Sequence, residues 1–281
     1  MKKYVIVLAC FVLNGCSVAI DESNFISQSE SVKPYESQFI KSLDRATKQH
    51  VVKELKISTG EGAVQLHGLH LDSLDTDNTI LFIPGNGMTV ESPETKKALL
   101  HLANYKFDIV VFDRRGLGAS NGKATISNLV EDAKMSFEYV KNQLNADKVL
   151  VHGFSLGSFL AAQVASEKPI DGLVMEGSAT NVQEWIDEAI PWYKKMIVDV
   201  QVDDVFYSVD NKQVLGKVYT GPLLVIGGGE DKQTPVSLSH ALYKSSKSQN
   251  KRIVISEEAD HYQMFENEKV RRAYADFVVS L

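Results

Sequence analysis

The segment Val149–Gly157, with the sequence VLVHGFSLG, carries the clearest fold signal in the chain. An apolar run that predicts a buried strand leads directly into Gly153–Gly157, a Gly-x-Ser-x-Gly motif. A helix rich in small residues is predicted over Ser155–Ala165. A strand, a sharp turn and a helix in this order would expose the Ser155 hydroxyl at the helix N-terminus, where free backbone N–H groups can stabilise negative charge. Ser155 is therefore the candidate nucleophile.

The rest of the chain alternates short apolar runs with amphipathic segments. The predicted strands are Val51–Ser58, Val64–Leu71, Thr79–Ile83, Asp108–Phe112, Val149–Val151, Leu173–Met175, Leu223–Ile226 and Ile253–Ile255. The further predicted helices are Glu94–Ala103, Leu129–Leu144, Ser237–Tyr243 and Val270–Val279. Strands that lack polar alternation are buried on both faces, and helices between them favour parallel pairing. This pattern predicts an α/β fold with three layers and a mostly parallel sheet, opened by an antiparallel pair.

The pattern also predicts how the chain is divided. The α/β domain is expected over residues 51–281. Between about residues 178 and 217 the periodicity breaks, and this stretch contains both tryptophans of the chain. It is too long for a simple connection between two strands. We therefore predict that it forms a short helical cap over the edge of the sheet.

A serine hydroxyl needs a general base, and that base needs a group that orients it. In open parallel sheets such groups lie at the C-terminal ends of strands. Asp231 and His261 each follow a predicted strand, in the chain order serine, acid, histidine. We predict that Asp231 is the acid and His261 the base. Glu176, at the end of another predicted strand, stays open as an alternative acid.

Acyl transfer also requires two donors for the oxyanion. The backbone N–H of Leu156, directly after Ser155, is the first candidate. The second is the backbone N–H of Asn86 in the turn after Thr79–Ile83, with Gly87 as the alternative. A second Gly-x-Ser-x-Gly match contains Ser120, but no strand directly precedes it and the residues after it resemble a loop. Ser120 is therefore not expected to be the nucleophile.

Taken together, these motifs resemble those of the α/β-hydrolase superfamily of serine hydrolases. The resemblance extends from about Val51 to the C-terminus, and the residues that carry it are Ile83–Met88, Asp113–Ser120, Gly153–Gly157, Asp231–Pro235 and His261. It implies a three-layer α/β-hydrolase fold and similarity to esterase, lipase and acyl-thioesterase members. In those members the Arg-Gly-x-Gly-x-Ser turn shapes a loop near the site without taking part in the chemistry. Pro84-Gly85 stands where the superfamily usually has His-Gly, so any role of that histidine is lost.

The first sixteen residues have the pattern of a bacterial lipoprotein signal. Two lysines precede an apolar run, and Leu13-Asn14-Gly15-Cys16 resembles a lipobox. On this interpretation residues 1–15 form the signal peptide, Cys16 carries lipid, and residues 16–50 tether the domain, with a flexible stretch over Asp21–Ser37. An ordinary secretory signal, and an ordered arm in place of the tether, are the alternatives. Ser17, in place of the aspartate that signals inner-membrane retention, favours the outer membrane of a bacterial cell envelope.

Composition excludes several other classes of function. The 281 residues carry a net charge of −6 without a block of lysine and arginine, which argues against nucleic-acid binding. No apolar stretch reaches the roughly 20 residues of a membrane-spanning helix. The two cysteines, Cys10 and Cys16, both lie near the N-terminus, and no cluster has the spacing of a metal site. Neither Pro84–Gly87 nor Gly227–Gly229 matches a nucleotide-binding motif. No metal or cofactor is expected.

The sequence thus predicts a serine hydrolase anchored to a membrane through its N-terminal lipid. Ser155 would attack a carboxylic ester or thioester, His261 would move the proton, and Asp231 would orient His261. Aromatic residues in the cap favour a small-molecule or lipid substrate with an apolar acyl group. A peptidase or amidase that uses the same triad, and a non-catalytic binding lipoprotein of the same fold, are the alternatives.

Overall fold

The computed structural model describes residues 16–29, 31–60, 64–74, 76–190 and 198–281. The predicted signal peptide, residues 1–15, lies outside these residues. The described chain contains an eight-stranded sheet with helices on both faces and a separate two-stranded sheet. The predicted three-layer α/β architecture with a mostly parallel sheet is confirmed. None of the helices in the described ranges combines the length and the apolarity that crossing a bilayer requires.

The large sheet places its parallel strands at the centre and its antiparallel pair at one edge. The strands are β1 (Cys16–Ile20), β2 (His50–Ser58), β3 (Gln65–Ser73), β4 (Thr79–Ile83), β5 (Asp108–Phe112), β6 (Val149–Phe154), β7 (Gly172–Glu176), β8 (Val198–Val202), β9 (Leu223–Gly228) and β10 (Lys251–Ser256). β1 and β8 form the separate two-stranded sheet, and the other eight strands form the large sheet in the order β10-β9-β7-β6-β4-β5-β3-β2. β3 pairs antiparallel with both β2 and β5, and all other neighbours are parallel. The C-terminal ends of β6, β9 and β10 therefore lie at the same edge.

Helices cover both faces of this sheet because the central strands are apolar on both sides. Every residue of β4, β5, β6, β7 and β9 is buried. The helices are α1 (Glu22–Phe25), α2 (Ser37–Ala46), α3 (Pro93–Leu102), α4 (Ile126–Asn142), α5 (Leu156–Glu167), α6 (Val182–Ala189), α7 (Asn211–Gln213), α8 (Val236–Ser245) and α9 (Glu268–Val279). One core contains Phe137 of α4 and Leu160 of α5, and the other contains Leu99 of α3 and Phe277 of α9. Burial on both faces fixes the strands that carry the site.

The region predicted as a helical cap, residues 178–217, contains α6, α7, a 3₁₀ helix and the start of a π-helical turn. It also contains β8, which the sequence did not predict. β8 pairs in parallel with β1, so that Cys16 lies opposite Val198 and Ile20 opposite Val202. The run Val198–Val202 alternates with polar residues, and its pairing partner lies about 180 residues earlier in the chain. No local pattern reports such a distant pairing.

The segment Asp21–Ser37 was predicted to be a flexible tether, but its described residues, 21–29 and 31–37, pack on the domain as an arm. We define the N-terminal arm as residues 16–29 and 31–35. Only 2% of the surface of Ile26 is exposed, and the backbone N–H groups of Ser29 and Lys33 donate to the carbonyls of Gly116 and Gly118 at 2.8 and 2.9 Å. The prediction relied on the polar side chains of this segment, but the hydrogen bonds that hold the arm on the domain come from its backbone. Any sequence can supply backbone hydrogen bonds.

Candidate active site

Ser155 lies in a strained turn between β6 and α5. Its backbone angles are φ 52° and ψ −120°, a conformation that residues other than glycine rarely adopt. The Ser155 N–H donates to the carbonyl of Glu176 on the neighbouring strand at 2.9 Å, which holds the turn in place. The side chain is half-buried and contacts the main cavity described below. Strain of this kind persists where the surrounding structure enforces it, typically at functional sites.

The two motif glycines allow this turn to pack against its neighbours. A Cβ atom on Gly157 would lie 2.0 Å from the carbonyl oxygen of Ile83, and one on Gly153 would lie 2.4 Å from the carbonyl oxygen of Gly157. No side chain fits at either position. The start of α5 is therefore pressed against the loop after β4, which contains Asn86. This contact brings both predicted oxyanion donors, Leu156 and Asn86, to the same cavity.

Asp231 and His261 form a buried hydrogen-bonded pair at the C-terminal ends of β9 and β10. The His261 Nδ1 lies 2.7 Å from the Asp231 Oδ2, and the exposed fractions of the two side chains are 3% and 0%. The Thr234 hydroxyl donates to the same Oδ2 at 2.7 Å. The N–H groups of Gln233 and Thr234 donate to Oδ1 at 2.8 and 2.9 Å. The sequence placed these two residues, far apart along the chain, at one edge of the sheet, and the structure brings them together.

The surroundings of Asp231 favour its ionised form. Burial alone would raise the pKa of its carboxyl, but the hydrogen bond and the charge of His261, together with the Thr234 donors, outweigh it. The pKa of Asp231 is therefore lowered. With Nδ1–H donating to this carboxylate, the lone pair of the imidazole lies on Nε2. This tautomer leaves Nε2 available as a base.

His261 also lies beside the turn that carries Ser155. The Phe154 ring, one residue before Ser155, packs against the His261 imidazole with 4.9 Å between their centroids. Gly177 also lies close to this ring, because a Cβ there would be 3.1 Å from the His261 Cε1. In the part of the chain that the structure describes, the Ser155 hydroxyl makes no hydrogen bond to His261. Bonds between a nucleophile and its base often tighten only in the complex with substrate.

The alternative acid, Glu176, has a different partner. Its Oε2 lies 3.0 Å from the His152 Nε2, and the Tyr274 hydroxyl lies 3.2 Å from the His152 Nδ1. All three residues are buried. Glu176 therefore contacts His152, whereas the carboxylate that His261 contacts is Asp231.

Ser120, in the second Gly-x-Ser-x-Gly motif, holds a loop together. Its hydroxyl donates to the carbonyl of Asp113 at 2.8 Å and accepts the N–H of His67 at 2.8 Å. Only 1% of its surface is exposed. The first bond lies within the loop after β5, the second joins this loop to β3, and together they leave the hydroxyl enclosed.

A cavity of about 130 Å³ opens beside Ser155. The Asp231 loop contributes Gln233 and Thr234 to its wall. Most of the remaining wall is apolar and comes from the cap and the N-terminal arm: Ile20, Phe25, Val182, Trp185, Phe206 and Val209. The sequence predicted aromatic residues in the cap, but it missed Ile20 and Phe25. Their apolar character within a polar segment was the available signal.

Elsewhere, one histidine and two aspartate side chains lie close enough to one another to be considered as ligands of a single metal ion. His70, Asp72 and Asp108 have potential ligand atoms within 4.8 Å of one another. The His70 Nε2 already contacts the Asp108 Oδ2 at 2.8 Å, and Asp72 forms an ion pair with Lys53. Asp108 is the first residue of β5, so the cluster lies at the opposite end of the sheet from Ser155. It belongs to the framework of the sheet.

Comparison with known proteins agrees with this architecture. A family model described as the alpha/beta hydrolase fold matches residues 78–203. Protein ABHD12B of Homo sapiens is 26% identical over 189 residues, which cover 62% of this chain and 51% of that protein. The lysophosphatidylserine lipase ABHD12 of Danio rerio is 23% identical over 178 residues, which cover 58% of this chain and 46% of that protein. The chain thus spans about half the length of these curated relatives.

Solved structures extend the likeness to most of the chain. The Pyrococcus furiosus esterase Pf2001 superposes with a TM-score of 0.71 at 18% identity, covering 91% of this chain and 97% of that chain. Est1E of Butyrivibrio proteoclasticus, solved with ferulic acid bound, gives a TM-score of 0.65 at 17% identity and covers 80% of this chain and 98% of that chain. At such identities the likeness concerns the fold alone. Together with the match over residues 78–203, it shows that the chain has the α/β-hydrolase fold.

Proposed function

We propose that the protein is a serine hydrolase that cleaves carboxylic esters or thioesters with an apolar acyl group. The observation that carries this proposal is the buried Asp231–His261 pair, 2.7 Å between its nearest atoms, beside the strained turn of Ser155. The three side chains come from the C-terminal ends of three parallel strands. That edge of an open sheet is where ligands bind in α/β folds.

In the proposed reaction the Ser155 Oγ attacks the acyl carbon while the His261 Nε2 takes the hydroxyl proton. The backbone N–H groups of Leu156 and Asn86 hold the oxyanion that forms. His261 then gives the proton to the oxygen or sulfur of the leaving group, and the bond between this atom and the acyl carbon breaks. Water, deprotonated by His261, then attacks the acyl carbon, the bond between this carbon and the Ser155 Oγ breaks, and His261 returns the proton to Oγ. Throughout, the ionised Asp231 orients the imidazole and stabilises its charged form.

The apolar cavity supports an acyl substrate over a polar one. Aromatic and aliphatic side chains surround the space next to Ser155, and burying each methylene of an acyl chain there contributes about 0.8 kcal/mol. Some relatives carry names that fit this chemistry, since one is called a lysophosphatidylserine lipase and a structural neighbour is called an esterase. A lipid or small-molecule ester is therefore the substrate class that we propose.

We also propose that Cys16 carries lipid and anchors the enzyme in a bacterial cell envelope, at the outer membrane. Ile20, which contacts the cavity, lies four residues after Cys16 in the same strand. At about 3.4 Å per residue, a lipid on Cys16 would hold the cavity within roughly 14 Å of the anchoring point. Such a distance suits a substrate that resides in the membrane. Cys16→Ser should move the protein from the membrane to the soluble fraction, and unchanged partitioning would refute the anchor.

A fluorophosphonate probe tests the proposed nucleophile, because it phosphonylates only an activated serine. The wild type should be labelled, Ser155→Ala should not, and Ser120→Ala should be labelled like the wild type. No labelling of a folded wild type would favour a non-catalytic binding protein with the same fold. A panel of p-nitrophenyl esters with one p-nitroanilide then separates an esterase from an amidase or peptidase that uses the same residues.

A further inference from the structure

We propose that Phe25, on the N-terminal arm, determines the length of the acyl group that the site accepts. This inference rests on the proposed function and adds a specificity residue to it. Phe25 contacts the same cavity as Ser155, although 130 residues separate the two in the sequence. It is the largest side chain that the arm contributes to the wall.

The ring of Phe25 joins the arm to the cap. It packs edge-to-face against Trp185, with 5.8 Å between centroids and 72° between planes, and against Phe206, with 5.3 Å and 82°. Trp185 is itself fixed, since its Nε1 donates to the carbonyl of Gln233 at 2.7 Å in the loop that follows Asp231. Three aromatic rings from two distant parts of the chain therefore form one continuous wall. Aromatic pairs of this geometry are stabilising beyond the area that they bury.

The backbone around Phe25 is anchored independently of its ring. The Asn86 side-chain amide donates to the carbonyl of Phe25 at 2.6 Å, and the N–H of Ser27 donates to the Asn86 Oδ1 at 2.9 Å. Arg114 donates to the same Oδ1 at 3.2 Å. The arm is thus clamped to the loop that supplies the proposed oxyanion donor. A change in the Phe25 side chain should alter the space in the cavity while the backbone stays where it is.

This arrangement predicts how the cavity responds to the size of residue 25. Replacing the ring by leucine or alanine opens space for additional methylene groups of an acyl chain, whereas tryptophan fills space that the acyl chain now uses. One methylene in an apolar pocket changes kcat/KM by about tenfold or more. We compare kcat/KM for a long acyl ester with kcat/KM for a short one. This ratio should rise in the order Phe25→Trp, wild type, Phe25→Leu and Phe25→Ala, by about tenfold between neighbouring members of the series.

The experiment measures kcat/KM for p-nitrophenyl esters from acetate to dodecanoate with each of these variants. Tyr207→Ala is the matched control, because Tyr207 is an aromatic residue adjacent to Phe206 that is 50% exposed. Its long-to-short ratio should equal that of the wild type. Circular dichroism and thermal unfolding identify any variant that fails to fold. If Phe25→Ala does, the Leu and Trp variants still decide the outcome, since they must move the ratio in opposite directions.

The result that would overturn the inference is a long-to-short ratio that stays constant across folded Trp, Phe and Leu versions of residue 25. A shift of the same size in Tyr207→Ala would also overturn it, because the effect would then not belong to this wall. Fluorophosphonate labelling separates this failure from failure of the proposed function. A labelled wild type with a constant ratio leaves the hydrolase intact and removes Phe25 as its specificity residue, whereas an unlabelled wild type removes both.

Discussion

The chain contains the five-residue pattern Gly-x-Ser-x-Gly twice, and the two copies differ in backbone conformation and in the exposure of the serine hydroxyl. Around Ser155 the pattern lies between a buried strand and a helix, the backbone is strained at φ 52°, and the side chain faces a cavity. Around Ser120 it lies in a loop, and the hydroxyl is enclosed by two hydrogen bonds to backbone groups. The Gly-x-Ser-x-Gly pattern by itself therefore indicates only a tight turn. The elements on either side decide whether the serine can act as a nucleophile.

Removal of the Ser155 hydroxyl should reduce turnover more than any other substitution proposed for this site. Ser155→Ala should lower kcat for the best ester of the panel by about 10⁴-fold or more, because the proposed acyl-enzyme forms on this hydroxyl. Its thermal unfolding should stay close to that of the wild type, since the hydroxyl is half-buried and the N–H bond to Glu176 is retained. Steady-state kinetics and unfolding curves check both statements. Residual turnover within tenfold of the wild type would remove the contrast between the two motifs.

The next effect distinguishes the two carboxylates near the sheet edge. Asp231→Asn should lower kcat by up to about 10⁴-fold, because the amide can reverse the tautomer of His261 and cannot stabilise its charge. Glu176→Gln is the matched control, since this carboxylate contacts His152 instead. Its kcat should change by less than about tenfold, although weakening the buried hydrogen bond to His152 lowers stability. A larger loss of kcat in Glu176→Gln than in Asp231→Asn would reverse the assignment.

Ser120→Ala should show the opposite profile, with a loss of stability and little loss of turnover. Removing the hydroxyl leaves the His67 N–H and the Asp113 carbonyl without this partner in a buried loop. The free energy of unfolding should fall by about 1–3 kcal/mol while kcat/KM changes by less than about threefold. Ser166→Ala is the control, because that hydroxyl bonds a helix carbonyl where water can replace it, so its effect should stay within about 0.5 kcal/mol. Urea unfolding measures both, and equal losses would show that burial of Ser120 is unimportant.

The same contrast explains how much the sequence could predict. Thr79–Ile83 and Asp108–Phe112 were predicted with their correct bounds because each is a continuous apolar run between polar or turn-forming residues. Parallel pairing then required Asp231 and His261 to lie at one edge. The sequence did not predict β8 or the position of Phe25 in the cavity wall. Their partners lie in distant parts of the chain, and a weak local pattern carries no information about a partner so far away.

The last prediction concerns pH, and it contrasts the stability of the two loops. Burial raises the pKa of Asp113, next to the Ser120 motif, to about 6, although N–H groups of Ala119 and Val90 donate to its carboxylate. An unfolded aspartate titrates near about 3.9, so between about pH 4 and pH 6 the folded state holds a proton that the unfolded state has lost. The contribution of Asp113 to stability should therefore decrease as the pH rises through this window, by roughly 3 kcal/mol at most.

Asp231 has a lowered pKa, so its contribution should decrease only as the pH falls below about 4. Unfolding free energies of the wild type, Asp113→Asn and Asp231→Asn across this range test both signs. The advantage of the wild type over Asp113→Asn should shrink with rising pH, while its advantage over Asp231→Asn should shrink as the pH falls toward about 4. The wild type and Asp113→Asn could instead differ in unfolding free energy by an amount that stays constant or grows with pH. The Asp113 carboxyl would then be ionised in the folded protein throughout, and the electrostatic contrast between the two loops would disappear.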